Sequence, residues 1–159
     1  GFFYIMQHFV SERLGMALIA VAQAQLAIDL ALNYMAEREV FGRPISKFQV
    51  LRHRIAQMSA EVTSSRSFVY LLYKQYQQGD YIIKEAAMAK LVATQLSDKV
   101  CYECMRIYGG YGYMESYPMA RLLRDSQLGT IGGGTSEVLC EIISKMIIDA
   151  KAYKAAVPH

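Results

Sequence analysis

Proline is scarce in this sequence and glycine is confined to few places, which is informative because both residues interrupt helices. Among 159 residues there are three prolines and 11 glycines. Most of the glycines lie in two short stretches, at 109–112 and 129–134, which leaves long segments with few helix breakers. The composition therefore favours an all-α domain with its joints at the glycine clusters.

Long apolar runs and an excess of one charge are also missing. No uncharged run reaches the roughly 18 residues of a membrane span, because Gln23, Gln25 and Asp29 interrupt the most apolar segment. The 17 Lys and Arg are scattered among 14 Asp and Glu, with a net charge of +3, and form no basic stripe for nucleic acid. The first residues lack a signal peptide's basic lead and cleavage site. We expect no membrane span and no nucleic-acid partner.

Cysteine is equally sparse. Cys101, Cys104 and Cys140 are an odd number in a chain too large to need disulfides, which favours a reducing compartment. Cys101 and Cys104 form a lone C-x-x-C motif without the second pair of ligands that a zinc site needs. We therefore expect buried helix packing for this pair rather than redox chemistry, and no metal site.

What the sequence does contain is apolar residues at helical spacing. The pattern predicts four main helices over about 11–38, 47–78, 82–108 and 135–150, and a short helical segment near 119–126. Long helices joined by short loops are typical of an antiparallel four-helix bundle. We predict one all-α domain of this kind over 1–150 and a tail over 151–159.

Four linked motifs go beyond a generic bundle. They are SERLGMA at 11–17, REVFGRPISKFQ at 38–49, IYGGYGYMESYP at 107–118 and IGGGTSEV at 131–138. In this order and spacing they resemble the C-terminal helical domain of the flavin-dependent acyl-CoA dehydrogenases, closest to the long-chain and isovaleryl type. The resemblance covers nearly the whole chain, and it implies that the family's N-terminal helical domain and middle β domain are absent from it.

The resemblance implies a reaction that needs one base. In this family a carboxylate removes the proton α to the thioester carbonyl of an acyl-CoA, a hydride leaves the β carbon for N5 of FAD, and the electrons pass to electron-transferring flavoprotein. In many members the base directly precedes the Gly-Thr of the last motif, where this chain has Gly133. In the long-chain and isovaleryl subset a small residue stands there, and the base precedes an Arg-Leu pair on the first helix. The resemblance thus gives Glu12 as the catalytic base and Gly133 as a substrate-site residue that leaves room for it.

Two residues on the first helix each have more than one possible role. Glu12 is either this base, partly desolvated beside acyl chain and flavin, or a first-turn glutamate that faces the positive end of the helix. Arg13 follows by one residue and points about 100° away from Glu12 on a helix. It would serve the CoA part of the substrate or a neighbouring carboxylate, as the matching arginine does in the family, or it is an ordinary surface arginine.

Residues at the far end of the same helix are candidates for cofactor binding. Arg38 lies about 39 Å from Glu12 if the helix is straight, at about 1.5 Å per residue. That distance exceeds one flavin dinucleotide, so the two ends are expected to serve different cofactors in a dimer. The resemblance agrees, since in the family the residues matching Arg38, Phe41 and Gln49 reach the flavin of the neighbouring subunit in a dimer of dimers. The alternative for Phe41 is a core position in a tight turn between helices.

The two glycine clusters supply the remaining candidates. Gly109 and Gly110 allow a sharp turn and a close approach of backbone amides to an anion, and they are otherwise a plain helix end. The family has a glutamine three residues earlier, where this chain has Arg106, which either binds the pyrophosphate or points to solvent. The resemblance assigns Thr135 and Glu137, at the start of the last helix, to the subunit's own flavin. Thr135 alone is also a good helix N-cap.

Three functional hypotheses follow. The leading one is the C-terminal domain of an acyl-CoA dehydrogenase, which by itself is expected to be inactive. The second is an acyl-CoA oxidase of the same superfamily, which passes electrons to oxygen. The third is a non-catalytic helical bundle that binds CoA esters or a partner helix. The resemblance implies the bacterial cytoplasm or the mitochondrial matrix as the location.

Overall fold

A computed structural model describes residues 2–149 of the chain, and the side chains of 9–149. The predicted tail over 151–159 lies outside the described residues. Within them the chain forms helices, one hairpin and two short helical turns, in this order: α1 (Phe2–Glu37), β1 (Glu39–Val40), β2 (Arg43–Pro44), a 3-10 turn (Ile45–Lys47), α2 (Gln49–Gln77), α3 (Ile83–Tyr108), α4 (Gly110–Tyr113), α5 (Pro118–Ile131), α6 (Ser136–Ser144) and a π-helical turn (Lys145–Asp149).

The long helices pack as an antiparallel four-helix bundle, which confirms the predicted fold class. Helices α1 and α3 form the most extensive contact, and α2 packs against both. The fourth position is shared, because α5 packs against α3 and α1 while α6 packs against α3. Helix α3 therefore contacts every other long element and forms the centre of the domain.

Small buried side chains allow the close packing of α1 and α3. Both helices bury a stripe of alanines at helical spacing, so that the two backbones approach with little side-chain volume between them. The stripe consists of Ala17, Ala20, Ala24, Ala27 and Ala31 on α1, and of Ala86, Ala89 and Ala93 on α3, where Ala87 is buried beside it. Larger residues such as Leu14, Ile28 and Val100 fill the space on either side.

The predicted bounds of three elements were wrong. Helix α1 begins at Phe2 rather than near Ser11, since residues 2–10 contain neither glycine nor proline. Helix α5 extends from Pro118, a favoured first helical residue, to Ile131 rather than only over 119–126. The last α-helix ends at Ser144 and continues as a π-helical turn rather than reaching residue 150 as one helix.

The sequence patterns did not indicate the hairpin between α1 and α2. Val40 pairs with Arg43, which leaves Phe41 and Gly42 as a two-residue turn. Their φ angles of 56° and 74° are both positive, as a type I′ hairpin turn requires. Phe41 is 92% exposed at the tip, so the alternative that placed it in the core is wrong.

Helix α1 is apolar enough to pass a test for membrane spans. Its segment Phe9–Glu37 is long and apolar enough to cross a membrane. Our expectation that Gln23, Gln25 and Asp29 exclude this was wrong. However, 44% of its most apolar stretch is buried in the bundle, and the core helix of a helical bundle can have the same length and composition. Gln23 also donates a hydrogen bond to the Leu122 carbonyl of α5 at 3.0 Å, a contact within the bundle.

The cysteine pair packs as predicted. Cys101 and Cys104 are wholly buried in the core along α3. Burial raises the pKa of the Cys101 thiol to about 11 and that of Cys104 to about 12, so both remain protonated and unreactive at neutral pH. Among residues 9–149, no group of three His, Cys, Asp or Glu side chains is arranged to hold a metal ion.

Candidate functional site

The first candidate site lies where α1 passes the glycine loop, which we define as residues 132–134 between α5 and α6. Gly133 has a φ of +64°, which residues with a side chain rarely adopt. A Cβ at Gly133 would lie 2.6 Å from Met16 Sδ and 3.8 Å from Glu12 Oε1. Glu12 and Met16 are one turn apart on α1 and therefore share the face that meets the loop. The structure thus brings together the two residues that the motifs linked, from opposite ends of the chain.

Glu12 itself is exposed and available to a ligand. Because α1 begins at Phe2, Glu12 lies well inside the helix, so the alternative of a first-turn glutamate is wrong. Among the residues whose side chains are described, Glu12 forms no ion pair within 4.0 Å. Its carboxylate is therefore exposed beside the loop and is not held in an ion pair with a described cation.

Arg13 lies on a different face of α1 and is buried. It is 5% exposed, so the alternative of a surface arginine is wrong. Its guanidinium carbon lies 5.4 Å from the centre of the Phe9 ring, and Nε and Nη1 have no hydrogen-bond partner among the described residues. Burial lowers the pKa of Arg13, while the nearby charge of Glu12 acts in the opposite direction.

The sequence patterns missed Lys90, which is the residue of α3 that meets the glycine loop. Lys90 is 0% exposed, and its Nζ donates a hydrogen bond to the Gly134 carbonyl at 2.7 Å. Burial lowers the pKa of Lys90, and the charge of Arg13 lowers it further. The signal in the sequence was a lysine in line with buried small residues of α3, since Ala86, Ala93 and Ser97 lie on the same side.

The second candidate site lies at the other end of α1. Arg38, Arg106, Gly109 and Gly110 line one cavity of about 620 Å³ between the end of α1, the end of α3 and α4. Its lining includes these two arginines and no acidic residue. Gly109 joins α3 to α4 with φ +60° and ψ −135°, a conformation that glycine permits. The arrangement suits an anionic ligand.

Tyrosines hold one wall of this cavity and were not predicted. Tyr34 stacks on Tyr108 with 4.1 Å between ring centres, and the Tyr34 hydroxyl donates to the Tyr108 carbonyl at 3.3 Å. The Tyr108 hydroxyl donates to the Leu30 carbonyl at 2.9 Å. Burial raises the pKa of both phenols. The Arg38 guanidinium lies 5.5 Å from the centre of the Tyr111 ring, which orients its charge at the cavity.

Arg106 lies at the rim of the cavity rather than inside it. Its side chain is exposed, and Nη1 donates to the Tyr102 hydroxyl at 2.8 Å, one turn back along α3. This hydrogen bond raises the pKa of Arg106. The guanidinium therefore has a partner within α3, while the residue still contributes positive charge to the cavity.

Phe41 and Gln49 do not line this cavity. Phe41 packs edge to face on Phe48 with ring centres 6.5 Å apart, and Phe48 also carries Arg43 over its ring at 4.3 Å. Gln49 is the exposed first residue of α2, directly after Phe48. Of the predicted cofactor residues at this end, the structure thus groups four at the cavity and leaves two on the exposed hairpin side.

The start of α6 is capped as predicted. Thr135 is the N-cap, and its Oγ1 accepts a hydrogen bond from the Val138 N–H at 3.4 Å. Glu137 is exposed in the first turn, where hydrogen bonds from its own backbone N–H and from Thr135 lower its pKa. Both residues directly follow the glycine loop, so they belong to the same end of the bundle as Glu12.

Comparison with known proteins decides the family. The family model described as acyl-CoA dehydrogenase, C-terminal domain, matches residues 1–148 of this chain. The chain belongs to the acyl-CoA dehydrogenase family.

Individual relatives agree with the subset that the motifs indicated. The long-chain specific acyl-CoA dehydrogenase from mitochondria of Sus scrofa is 33% identical over 151 residues, which is 95% of this chain and 35% of the relative. Isovaleryl-CoA dehydrogenase from mitochondria of Oryza sativa subsp. japonica is 37% identical over 154 residues, 97% of this chain and 36% of the relative. The crystal structure of an acyl-CoA dehydrogenase from Geobacillus kaustophilus superposes with a TM-score of 0.91 at 36% identity, over 93% of this chain and 39% of that one. The chain therefore spans about a third of the length of the curated relatives that it matches.

Proposed function

We propose that this chain is the C-terminal domain of an FAD-dependent acyl-CoA dehydrogenase and that Glu12 is its catalytic base. The observation that supports this is the position of the Glu12 carboxylate, whose Oε1 lies 3.8 Å from where a Cβ of Gly133 would be. A carboxylate at residue 133 and the carboxylate of Glu12 would therefore reach into the same space from two sides. One exposed, unpaired carboxylate on α1 supplies what the reaction needs.

In this mechanism Glu12 accepts the proton from the carbon α to the thioester carbonyl of an acyl-CoA. Bound acyl chain displaces water from the carboxylate, and loss of that hydration makes the carboxylate a stronger base. Gly133 contributes by having no side chain. A Cβ there would lie 2.6 Å from Met16 Sδ and 3.8 Å from Glu12 Oε1, so glycine lets both side chains keep their places, with the Glu12 carboxylate beside the loop.

FAD, when bound, supplies the acceptor for the hydride that leaves the β carbon. The residues of this chain fit its phosphates, because the cavity at the end of α1 is lined by two arginines and no acidic residue. We assign these residues to the FAD of the neighbouring subunit, together with the exposed hairpin side. The assigned residues are Arg38, Phe41, Gln49, Arg106, Gly109 and Gly110.

The N-terminus of α6 fits a second FAD. The positive end of its helix dipole lies beside the glycine loop, where Thr135 caps the helix and Glu137 lies in the first turn. We assign Thr135 and Glu137 to the subunit's own FAD, beside Glu12.

Two flavin sites at opposite ends of one helix require two subunits. Helix α1 runs without interruption from Phe2 to Glu37, so Glu12 and Arg38 are about 39 Å apart at about 1.5 Å per residue. This supports a dimer in which each cofactor contacts two chains, and we propose that two such dimers form the tetramer. The N-terminal helical domain and the middle β domain of the family would complete each subunit.

Burial favours one of the two roles considered for Arg13. A guanidinium that is 5% exposed, with two nitrogens lacking a partner among the described residues, is better suited to a carboxylate from elsewhere in the full-length subunit than to the long, solvated CoA moiety. We propose that Arg13 supports the substrate site through such a carboxylate.

Substrate class, electron acceptor and location follow from the family rather than from particular residues. We propose an acyl-CoA substrate, electron-transferring flavoprotein as the acceptor, and the mitochondrial matrix or the bacterial cytoplasm as the location. Acceptance of electrons by oxygen is the oxidase alternative. The same purified protein distinguishes the two through its rate of flavin reoxidation with each acceptor.

The decisive experiment uses the full-length protein that contains these residues. It is mixed without oxygen with a panel of acyl-CoA esters, and the loss of flavin absorbance is followed. We expect Glu12→Gln to slow this bleaching by about 10²–10⁴-fold while FAD remains bound, since a general base contributes that much.

The control is Glu141→Gln, which removes an exposed glutamate of α6 that pairs with Lys145 at 3.1 Å. We expect it to bleach at the normal rate. A Glu12→Gln protein with normal bleaching would rule out Glu12 as the base. A colourless wild-type protein that no acyl-CoA ester alters would support the non-catalytic bundle instead.

A further inference from the structure

Lys90 is a fully buried lysine in an unfavourable place. Lysine is rarely buried unless it is paired with an acid. Here the group whose charge acts on it is another buried cation, Arg13, and both burial and that charge lower the pKa of Lys90. An apolar side chain of similar length would fill the position without this penalty. The hydrogen bond that Lys90 makes is therefore the feature that needs an explanation.

That hydrogen bond ends in a run of three glycines. Gly132, Gly133 and Gly134 have no side chains, and such residues lose more conformational freedom on ordering than any others. Gly133 and Gly134 also have φ angles of +64° and +104°. A run of this kind keeps one shape only if neighbouring groups hold it.

Three elements hold the glycine loop. On one side lie Met16 and Glu12 of α1, with Met16 Sδ only 2.6 Å and Glu12 Oε1 3.8 Å from where a Cβ of Gly133 would be. After the loop, Thr135 starts α6 with its N-cap hydrogen bond. At the end of the loop, the Gly134 carbonyl accepts a hydrogen bond from Lys90 Nζ of α3 at 2.7 Å. Among the described residues, this is the one hydrogen bond from a side chain to residues 132–134.

We propose that Lys90 is a positioning residue. Its hydrogen bond to the Gly134 carbonyl fixes the glycine loop in the position that leaves room for the Glu12 carboxylate beside Gly133. The inference rests on the proposed function, because it matters for catalysis only if Glu12 is the base. Lys90 does not touch the substrate. It acts through the loop, from α3 to Gly134 and from Gly133 to the carboxylate on α1.

The test compares two substitutions on α3 in the full-length protein. Lys90→Met keeps a side chain of similar length and removes the donor. Val100→Ala is the matched control, because it removes buried contacts from the same helix about ten residues away and does not touch the loop. Unfolding midpoints of both variants are recorded, and all other measurements are made well below them.

The first measurement is hydrogen–deuterium exchange of the backbone over 128–139. We expect Lys90→Met to speed exchange at 132–135 by about tenfold or more, because local opening needs less free energy without the anchor. We expect Val100→Ala to leave these amides unchanged. Unchanged exchange at 132–135 in Lys90→Met would overturn the proposal.

The second measurement reports on the base. The α-protons of an acyl-CoA exchange with D2O when Glu12 removes and returns them, and this rate is compared with KM and with FAD content. We expect Lys90→Met to slow α-proton exchange by about tenfold with little change in KM or FAD content, a pattern of misplaced base rather than lost binding. An equal loss in Val100→Ala would show a general effect of stability and contradict the proposal.

Glu12→Gln separates this proposal from the proposed function. If Glu12→Gln retains α-proton exchange, the assignment of the base fails whatever Lys90 does. If Glu12→Gln loses it and Lys90→Met retains it, the inference about Lys90 alone fails.

A third measurement does not require the variant to fold. In the unsubstituted protein labelled with ¹⁵N, we expect the Lys90 side-chain amino group to exchange slowly with solvent and to show contacts to Gly134 protons by NMR. Fast solvent exchange and no contact to Gly134 would overturn the proposal.

Discussion

The two ends of α1 are organised in opposite ways. At the glycine loop, Glu12 lies close to Gly133, and two side chains of the same chain, the half-buried Met16 and the buried Lys90, lie against the loop. At the hairpin, Phe41 projects into solvent and two arginines line a cavity of about 620 Å³ without an acidic partner in its lining. The first end resembles a site assembled within one subunit. The second resembles a surface that another subunit's ligand completes.

The comparison explains why different properties matter at each end. Position is critical at the loop, since a base acts within hydrogen-bond distance of the proton. Charge and access are critical at the hairpin, since an anion is attracted by guanidinium groups that it can reach. Substitutions at the loop should therefore alter the chemical step, and substitutions at the hairpin should alter cofactor retention.

The largest expected effect comes from moving the base to the other side of the gap. Glu12→Gly should lower the rate of flavin bleaching by an acyl-CoA about 10²–10⁴-fold. Adding Gly133→Glu should restore part of the rate, because the new carboxylate enters the same space. The restoration should be incomplete, since Met16 Sδ lies 2.6 Å from the new Cβ, and Met16→Ala should improve it.

The triple variant makes the result informative. If Met16→Ala does not improve the double variant, the contact between Met16 and residue 133 does not limit the position of the base. If the double variant bleaches no faster than Glu12→Gly alone, a carboxylate at residue 133 does not reach the position that the Glu12 carboxylate occupies.

An intermediate effect is expected at the cavity. Arg38→Met should weaken FAD retention by about tenfold or more, since a hydrogen bond to a charged group contributes about 1.5–3 kcal/mol. Arg106→Met should have a smaller effect, because its guanidinium is already hydrogen-bonded to Tyr102 at 2.8 Å. FAD titration of the apoprotein measures both.

Arg121→Met is the control for these two arginine variants. Arg121 lies on an exposed face of α5 and faces Asp125 at 3.8 Å, so its loss should leave FAD retention unchanged. A loss in Arg106→Met equal to that in Arg38→Met would mean that Arg106 leaves Tyr102 to bind the cofactor.

The smallest effect is expected from replacing two glycines by alanine. The pair compares a site that has only backbone strain with a site that has strain and a steric contact. Gly79 and Gly133 both have positive φ, at +88° and +64°, but a Cβ at Gly79 would meet nothing within 4 Å. Alanine should lower the free energy of unfolding by about 1–2 kcal/mol at either position, because a side chain is strained in that region. Gly133→Ala should lose about 1 kcal/mol more because Met16 must shift. Denaturant unfolding measures both, and equal losses would argue against crowding at the loop.

The motifs predicted the meeting of Glu12 and Gly133, but periodicity did not predict how the loop is held. Helical spacing identified the long helices, and the order of the motifs linked residues at opposite ends of the chain. Lys90 could not be linked to the loop in this way, because its partner is a backbone carbonyl 44 positions later, and a carbonyl leaves no mark in the residue pattern. A lysine among alanines only interrupts the apolar stripe.

The hairpin end was harder to predict for a similar reason. Strands of two residues are too short to show an alternating pattern, and the usual turn residues of a type I′ hairpin, such as Asn-Gly, are replaced by Phe41 and Gly42. The stacking of Tyr34 on Tyr108 joins residues 74 positions apart, which local spacing does not relate. The start of α1 at Phe2 was missed because Ser11 is a favoured N-cap residue, whereas residues 2–10 contain no such signal.

The uninterrupted length of α1 has a consequence for inheritance. If its two ends serve two flavins in the proposed dimer, a mixed dimer of one Glu12-defective and one Arg38-defective chain contains one site with both defects and one site with none. Two inactive alleles would then complement each other and restore up to half of the active sites. A substitution in α1 that disturbed both ends would damage the site of its own chain and also that of the neighbouring chain. Such a substitution would behave as partly dominant.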